Sequence, residues 1–165
     1  MTLTQRVDVP RLAAAIAICQ AAGAIGGLAT ASSVRTWYPS QRKAALNPPP
    51  WILAPVWTVL YLVMGISLYR AWIQARRAGR DEVRASFAPF WMQLALNASW
   101  SFVFFGLRRP FEALITLGAM LLGILATMRS FGRVDRTAAW LLLPYALWVT
   151  FAGYLNASVW WLNRD

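Results

Sequence analysis

Residues 51–65 read Trp51-Ile52-Leu53-Ala54-Pro55-Val56-Trp57-Thr58-Val59-Leu60-Tyr61-Leu62-Val63-Met64-Gly65, and the apolar run continues to Ile73 with Arg70 as its one charge. A run of 23 residues is longer than the roughly 20 apolar residues that cross a bilayer as a helix. It lacks the period-2 alternation of a barrel strand. Four more such runs flank it: Leu12–Ser33, Phe87–Leu107, Phe111–Phe131 and Ala138–Leu162. Backbone groups in lipid must be satisfied within the segment, so each run, Trp51–Ile73 included, is expected to be a helix. The loops between them are too short to be domains. The expected architecture is all-α, one membrane domain over residues 1–165, built as a bundle of five transmembrane helices.

Composition agrees. The 165 residues are 59% hydrophobic, 14% aromatic and 13% charged, against about 45–50% apolar and 25% charged in an ordinary soluble domain. Such a chain is too apolar to be disordered. One cysteine, Cys19, and no histidine exclude a disulfide scaffold, a Cys/His zinc site and His-dependent nucleophilic catalysis. The net charge of +10 could indicate nucleic acid. The arginines, however, sit in short clusters between apolar runs, where lipid headgroups lie, and no nucleic acid partner is expected.

The first run lies behind Arg6 and Arg11 and resembles a signal peptide, but four further spans favour an uncleaved helix. Gly23 and Gly27 form a small-xxx-small pair on it, read as packing within the bundle rather than a dimer face. The loop from Thr36 to Pro50 holds Trp37-Tyr38-Pro39, Lys43 and Asn47-Pro48-Pro49-Pro50. Consecutive prolines make a stiff, extended lead into the second helix, so the loop is read as a structured cap over one mouth of the bundle. Ten basic residues, including Arg6, Arg70, Arg80 and Arg84, fall on the N-terminal side, against six on the side of the cap. The positive-inside rule then puts the N-terminus in the cytoplasm.

Ionisable residues within the spans are almost absent, which disfavours ion-coupled transport. Glu112 follows Arg108 and Arg109 at a helix start and is read as an interfacial partner of that terminus. Neutral polar and aromatic residues are more informative. Gln93, Asn97 and Ser101 share one face of the third span, with Trp100 beside them. Trp57, Tyr61 and Gly65 form a stripe on the second, and Tyr145, Trp148, Ala152 and Asn156 one on the fifth. A cavity walled by indoles with a few fixed polar groups suits a flat aromatic ligand; the alternative is hydrogen bonding that glues the helices.

The stretch Pro50 to Gly65 resembles the second-helix signature of the TspO/MBR family, the tryptophan-rich sensory and translocator proteins. Three more blocks agree in order: Trp37-Tyr38 with Asn47-Pro48-Pro49; Gln93-Leu94-Ala95-Leu96-Asn97 with Phe104-Phe105-Gly106; and Pro144-Tyr145-Ala146-Leu147-Trp148 with Leu155-Asn156. The resemblance implies a five-helix membrane bundle, often a homodimer, in a bacterial cell membrane. It implies a tetrapyrrole ligand such as protoporphyrin IX or heme under the first loop, with no other cofactor, and sterols or benzodiazepine-type ligands in some members. The pocket positions it implies are Trp57, Tyr61, Asn97 and Trp148; Trp51, Trp100, Tyr145 and Ala152 complete the candidate set. In relatives that degrade bound porphyrin in light, the implicated tryptophans match Trp57 and Trp148. Two departures stand out. Lys43-Ala44-Ala45-Leu46-Asn47-Pro48-Pro49 lacks the family's Pro after Lys and its loop Trp. Ala157 replaces the tyrosine of the animal cholesterol motif, so a sterol is not expected as the physiological ligand. The expected function is a membrane sensory or translocator protein that binds tetrapyrroles; light-dependent porphyrin degradation and transport without ion coupling are the alternatives.

Overall fold

The computed structural model describes residues 7–77 and 87–164; Arg6, Arg80 and Arg84 of the charge count lie outside them. The described residues form six helices and a short 3-10 turn, arranged as five rods. Helix α1 (Val9–Arg35) starts at Asp8, whose side chain caps it by accepting the Arg11 backbone N–H. Helix α2 (Pro50–Arg77) opens on the proline run and is longer than the expected span. Pro55 lies inside it and leaves the Trp51 carbonyl without its usual donor. Helix α4 covers Pro110–Gly132.

Two rods differ from plain helices. The third is helix α3 (Ala88–Ser101), whose 14 residues are too short to cross a bilayer, continued by a five-residue π-helical turn, Phe102–Gly106. Together they reach about 29 Å at 1.5 Å per residue, enough for the hydrocarbon core. Two residues past the turn, Arg108 takes a positive φ of 56°, a left-handed conformation that is costly for a residue with a side chain. The fifth rod begins at Arg136, earlier than the expected Ala138. Helix α5 (Arg136–Leu141), capped by Asp135, passes through Leu142 into helix α6 (Leu143–Leu162). Pro144 has no N–H for the carbonyl one turn back, which accounts for the break.

Close approaches hold the rods together. An added Cβ on Gly65 would lie 2.6 Å from the Ile16 Cα, so α1 and α2 meet backbone to backbone there. Gly123 on α4 likewise receives Gln93 of α3. Ser67 donates to the Ala138 carbonyl at 2.7 Å, and Arg70 pairs with Asp135 at 2.9 Å, tying α2 to α5. Glu112 pairs with Arg109 at 3.3 Å in the first turn of α4. Large apolar side chains such as Leu122 (70% exposed) cover the outside, as lipid contact requires. The chain is an all-α, multi-pass integral membrane bundle.

Candidate functional site

At the end of the bundle under the Thr36–Pro50 loop, the rods enclose a cavity of about 400 Å³. This lies within the usual range for small-molecule sites. Helix α2 contributes Trp57 and Tyr61, the third rod Trp100, and α6 Trp148 and Ala152. Trp57 is the hub of the aromatic wall. Its ring stacks on Tyr61 with centroids 5.7 Å apart, lies 6.1 Å from Trp100, and meets Trp148 edge-on at 6.5 Å.

The indole N–H groups differ in their partners. Trp100 donates to Asn156 Oδ1 at 3.1 Å, and Asn156 Nδ2 donates to the Pro110 carbonyl at 2.6 Å. The Trp148 ring lines the cavity, while its N–H is buried behind the wall and meets no acceptor.

Three residues of the expected set fall elsewhere. Asn97 and Tyr145 do not line the cavity; they lie beneath it, each 1% exposed. Tyr61 donates its hydroxyl to Asn97 Oδ1 at 2.5 Å, and Asn97 Nδ2 donates to the Tyr145 oxygen at 2.7 Å. Tyr145 in turn donates to Gln93 Oε1 at 2.9 Å. The amide of Asn97 is consumed by tyrosines from α2 and α6, which ties three rods together, so the expectation that it faces the cavity is corrected. Trp51 is 74% exposed and absent from the lining. Six residues before Trp57, it is rotated about 240° around the helix from it, and it sits on the outer surface.

Asn97→Leu should therefore act on stability more than on binding. It strands the hydroxyl of Tyr61, at about 1–3 kcal/mol for an unsatisfied buried group, while Tyr145 loses one donor but keeps its bond to Gln93. Denaturant unfolding in micelles should show a loss of about 1–3 kcal/mol, with ligand affinity within about threefold of wild type once folded. A variant of wild-type stability and lost affinity would return Asn97 to the cavity.

Helix α1 supplies a wall that the aromatic stripes did not announce: Gly27, Thr30, Ala31 and Val34, with Arg35 at the rim. An added Cβ on Gly27 meets nothing within 4 Å, so Gly27 opens onto the cavity, whereas one on Gly23 would strike the Tyr61 ring. Of the small-residue pair, Gly23 packs within the bundle and Gly27 keeps the cavity wide. The 3-to-4 spacing of small residues after Gly23 was the available signal.

The loop closes over this end as a cap. Tyr38 is buried against Phe104 and Phe105, with centroids 6.1 and 5.7 Å away. Both phenylalanines belong to the π turn, which also receives a hydrogen bond from Ser33 of α1 at the Phe105 carbonyl. Tyr38 donates to Asn47 Oδ1 at 2.7 Å. Burial pushes its phenol above the ordinary value, so it remains a neutral donor at physiological pH. Lys43 lies 5.0 Å from the Tyr38 ring and donates to the Gln41 and Pro39 carbonyls at 2.8 and 3.1 Å. At the far side, Asn163 donates to the Arg42 carbonyl at 3.0 Å and accepts the Arg42 N–H at 2.9 Å. The cap is thus fastened to the end of α6. Among the described residues no cluster of His, Cys, Asp or Glu could hold a metal ion.

Comparison with known proteins agrees with this arrangement. The model of the TspO/MBR family matches residues 15–162. A tryptophan-rich protein TspO of Chlorobaculum tepidum is 38% identical over 152 residues, covering 92% of this chain and 95% of its own. The tryptophan-rich sensory protein of Cereibacter sphaeroides is 35% identical over 90% of this chain and 88% of its own. The translocator protein of Bos taurus is 38% identical over 86% and 83%.

Proposed function

The chain belongs to the TspO/MBR family, and from that premise we propose that it is a sensory or translocator protein that binds tetrapyrroles in the cavity beneath the first loop. The observation that carries the reading is the gathering of three indoles, Trp57, Trp100 and Trp148, on the cavity wall around Trp57. A flat, conjugated ring system offers π faces to all three. Arg35 at the rim supplies a cation for carboxylates on the ring's periphery.

The test is a titration of the purified protein with protoporphyrin IX, heme and a sterol side by side. Saturable one-site binding of the tetrapyrroles, with the sterol weaker, is the expected result. Sterol binding alone would overturn the reading. Trp57→Phe and Trp148→Phe should each weaken protoporphyrin binding by about two- to tenfold. Phe keeps much of the apolar area but loses the N–H and part of a stacking contribution of about 0.5–1.5 kcal/mol. If both variants bind like wild type while Trp37→Phe does not, the ligand sits at the cap and the cavity assignment fails.

Light-dependent degradation of the bound ring is the second reading, favoured by the position of Trp57 within 6.5 Å of three other aromatic rings on the cavity wall. It requires that Trp57→Phe slow light-driven loss of the porphyrin spectrum by far more than it weakens binding in the dark.

A further inference from the structure

Of the three indoles on the cavity wall, Trp100 alone is held by a hydrogen bond among the described residues. Its N–H donates to Asn156 Oδ1 at 3.1 Å. The Trp148 N–H meets no acceptor, and the Trp57 indole makes ring contacts only. The torsion that turns an indole about its bond to Cβ is broad, so the plane of the ring is set by what surrounds it. A hydrogen bond at the ring edge is the most directional constraint available.

Asn156 can hold that indole in one way only. An indole N–H only donates, and a backbone carbonyl only accepts. Asn156 therefore turns Oδ1 toward Trp100 and Nδ2 toward the Pro110 carbonyl, 2.6 Å away. Reversing the amide would set donor against donor and acceptor against acceptor. Asn97 differs in this respect, because its partners are tyrosine hydroxyls, which can donate or accept. The far end of the relay is fixed as well. Pro110 is the first residue of α4, where its ring holds φ near about −65°. Asn156 is 2% exposed, so water does not compete for its amide. The tilt of a cavity indole on the third rod is thus referred to the backbone of α4 through a side chain of α6. Phe104 stacks on that indole with centroids 5.8 Å apart and planes 23° apart, and Trp57 stands 6.1 Å away at 33°.

We infer that Asn156 is a positioning residue of the cavity: it fixes the plane of Trp100 and, through it, the plane in which a flat aromatic ligand lies. The inference rests on the reading of the cavity as a site for such a ligand. Trp57 and Trp148 have no comparable anchor and turn to meet the ligand, while Trp100 stays as the fixed wall. Asn156 acts through Trp100 and not on the ligand itself.

The test is a double-substitution cycle with Asn156→Leu and Trp100→Phe, read in two ways. In the ligand-free protein, near-ultraviolet circular dichroism reports the indole of Trp100 held beside Trp57. Asn156→Leu should remove much of the signal that Trp100→Phe removes, and should change nothing further in the Trp100→Phe background. In a titration with protoporphyrin IX, each single substitution should weaken binding by about two- to tenfold, the range of one aromatic stacking contribution. The doubly substituted protein should bind no more weakly than Trp100→Phe, since the two residues act as one unit. An asparagine with a structural role alone would weaken binding equally in both backgrounds. Asn156→Ser withdraws the same acceptor from the indole and takes the place of Asn156→Leu in the cycle if the leucine variant does not fold. An unaltered ligand-free spectrum, an unaltered protoporphyrin affinity, or a loss that recurs in full in the Trp100→Phe background would each overturn the inference. A wild-type protein that does not bind protoporphyrin would overturn the reading of the cavity instead, and the ligand-free spectrum would still decide whether Asn156 sets the plane of Trp100.

Discussion

Gly27→Trp should reduce protoporphyrin binding by about a hundredfold while leaving the bundle folded. A side chain at this position grows from α1 into the cavity, because an added Cβ meets nothing within 4 Å. An indole there competes for the faces of Trp57, Trp100 and Trp148. Losing stacking at all three, at about 0.5–1.5 kcal/mol each, gives a loss between tenfold and more than a thousandfold. The backbone gains, since glycine is about 1 kcal/mol less favourable than alanine within a helix. Gly118→Trp is the control: Gly118 is exposed on α4, and its Cβ position is likewise open. Binding titrations should separate the two variants while circular dichroism does not. Undiminished binding by Gly27→Trp would mean that the ligand does not enter this cavity.

Gly65→Val should have the largest effect on stability. Its Cβ would fall 2.6 Å from the Ile16 Cα and 2.9 Å from the Ile16 nitrogen. Backbone cannot swing aside as a side chain does, so α1 and α2 must separate over the whole length of their contact. Overpacking of this kind costs about 1–3 kcal/mol and occasionally more. We expect about 3 kcal/mol here, a hundredfold change in the folded-to-unfolded ratio. Unfolding in mixed micelles with increasing dodecyl sulfate, followed by circular dichroism, measures it against Gly118→Val, which should be near neutral. A Gly65→Val variant as stable as that control would mean that the helices do not touch at Ile16.

Which of these features a reader of the sequence could reach depends on the physics behind each. Hydropathy exposes the five rods because lipid imposes one requirement on every residue of a span. The π turn is not legible that way: Phe102–Gly106 is as apolar as a regular helix, and its contacts, Phe104 and Phe105 against Tyr38, are tertiary. Helical periodicity correctly gathers Trp57 with Tyr61, and Trp148 with Ala152. The same periodicity turns Trp51 about 240° away from Trp57, onto the outer face. What periodicity cannot supply is depth. Asn97 and Ser101 share a face, yet Ser101 lines the cavity and Asn97 lies about 6 Å further down the axis, below the floor that Tyr61 makes. The small residues of α1 carry no such signal, because an open wall is made by side chains that are missing.

The double hydrogen bond between Asn163 and Arg42 has a consequence for kinetics. It joins the cap to the end of α6 without touching the space that a ligand would fill. A latch of this kind raises the barrier to entering and to leaving by the same amount, provided the cap rests closed in both the empty and the filled protein. It then governs how long a molecule stays while leaving untouched how tightly it is held. The last residues of α6 would act as a timer, and a fusion partner attached just beyond them could alter turnover of the occupant without shifting any equilibrium constant.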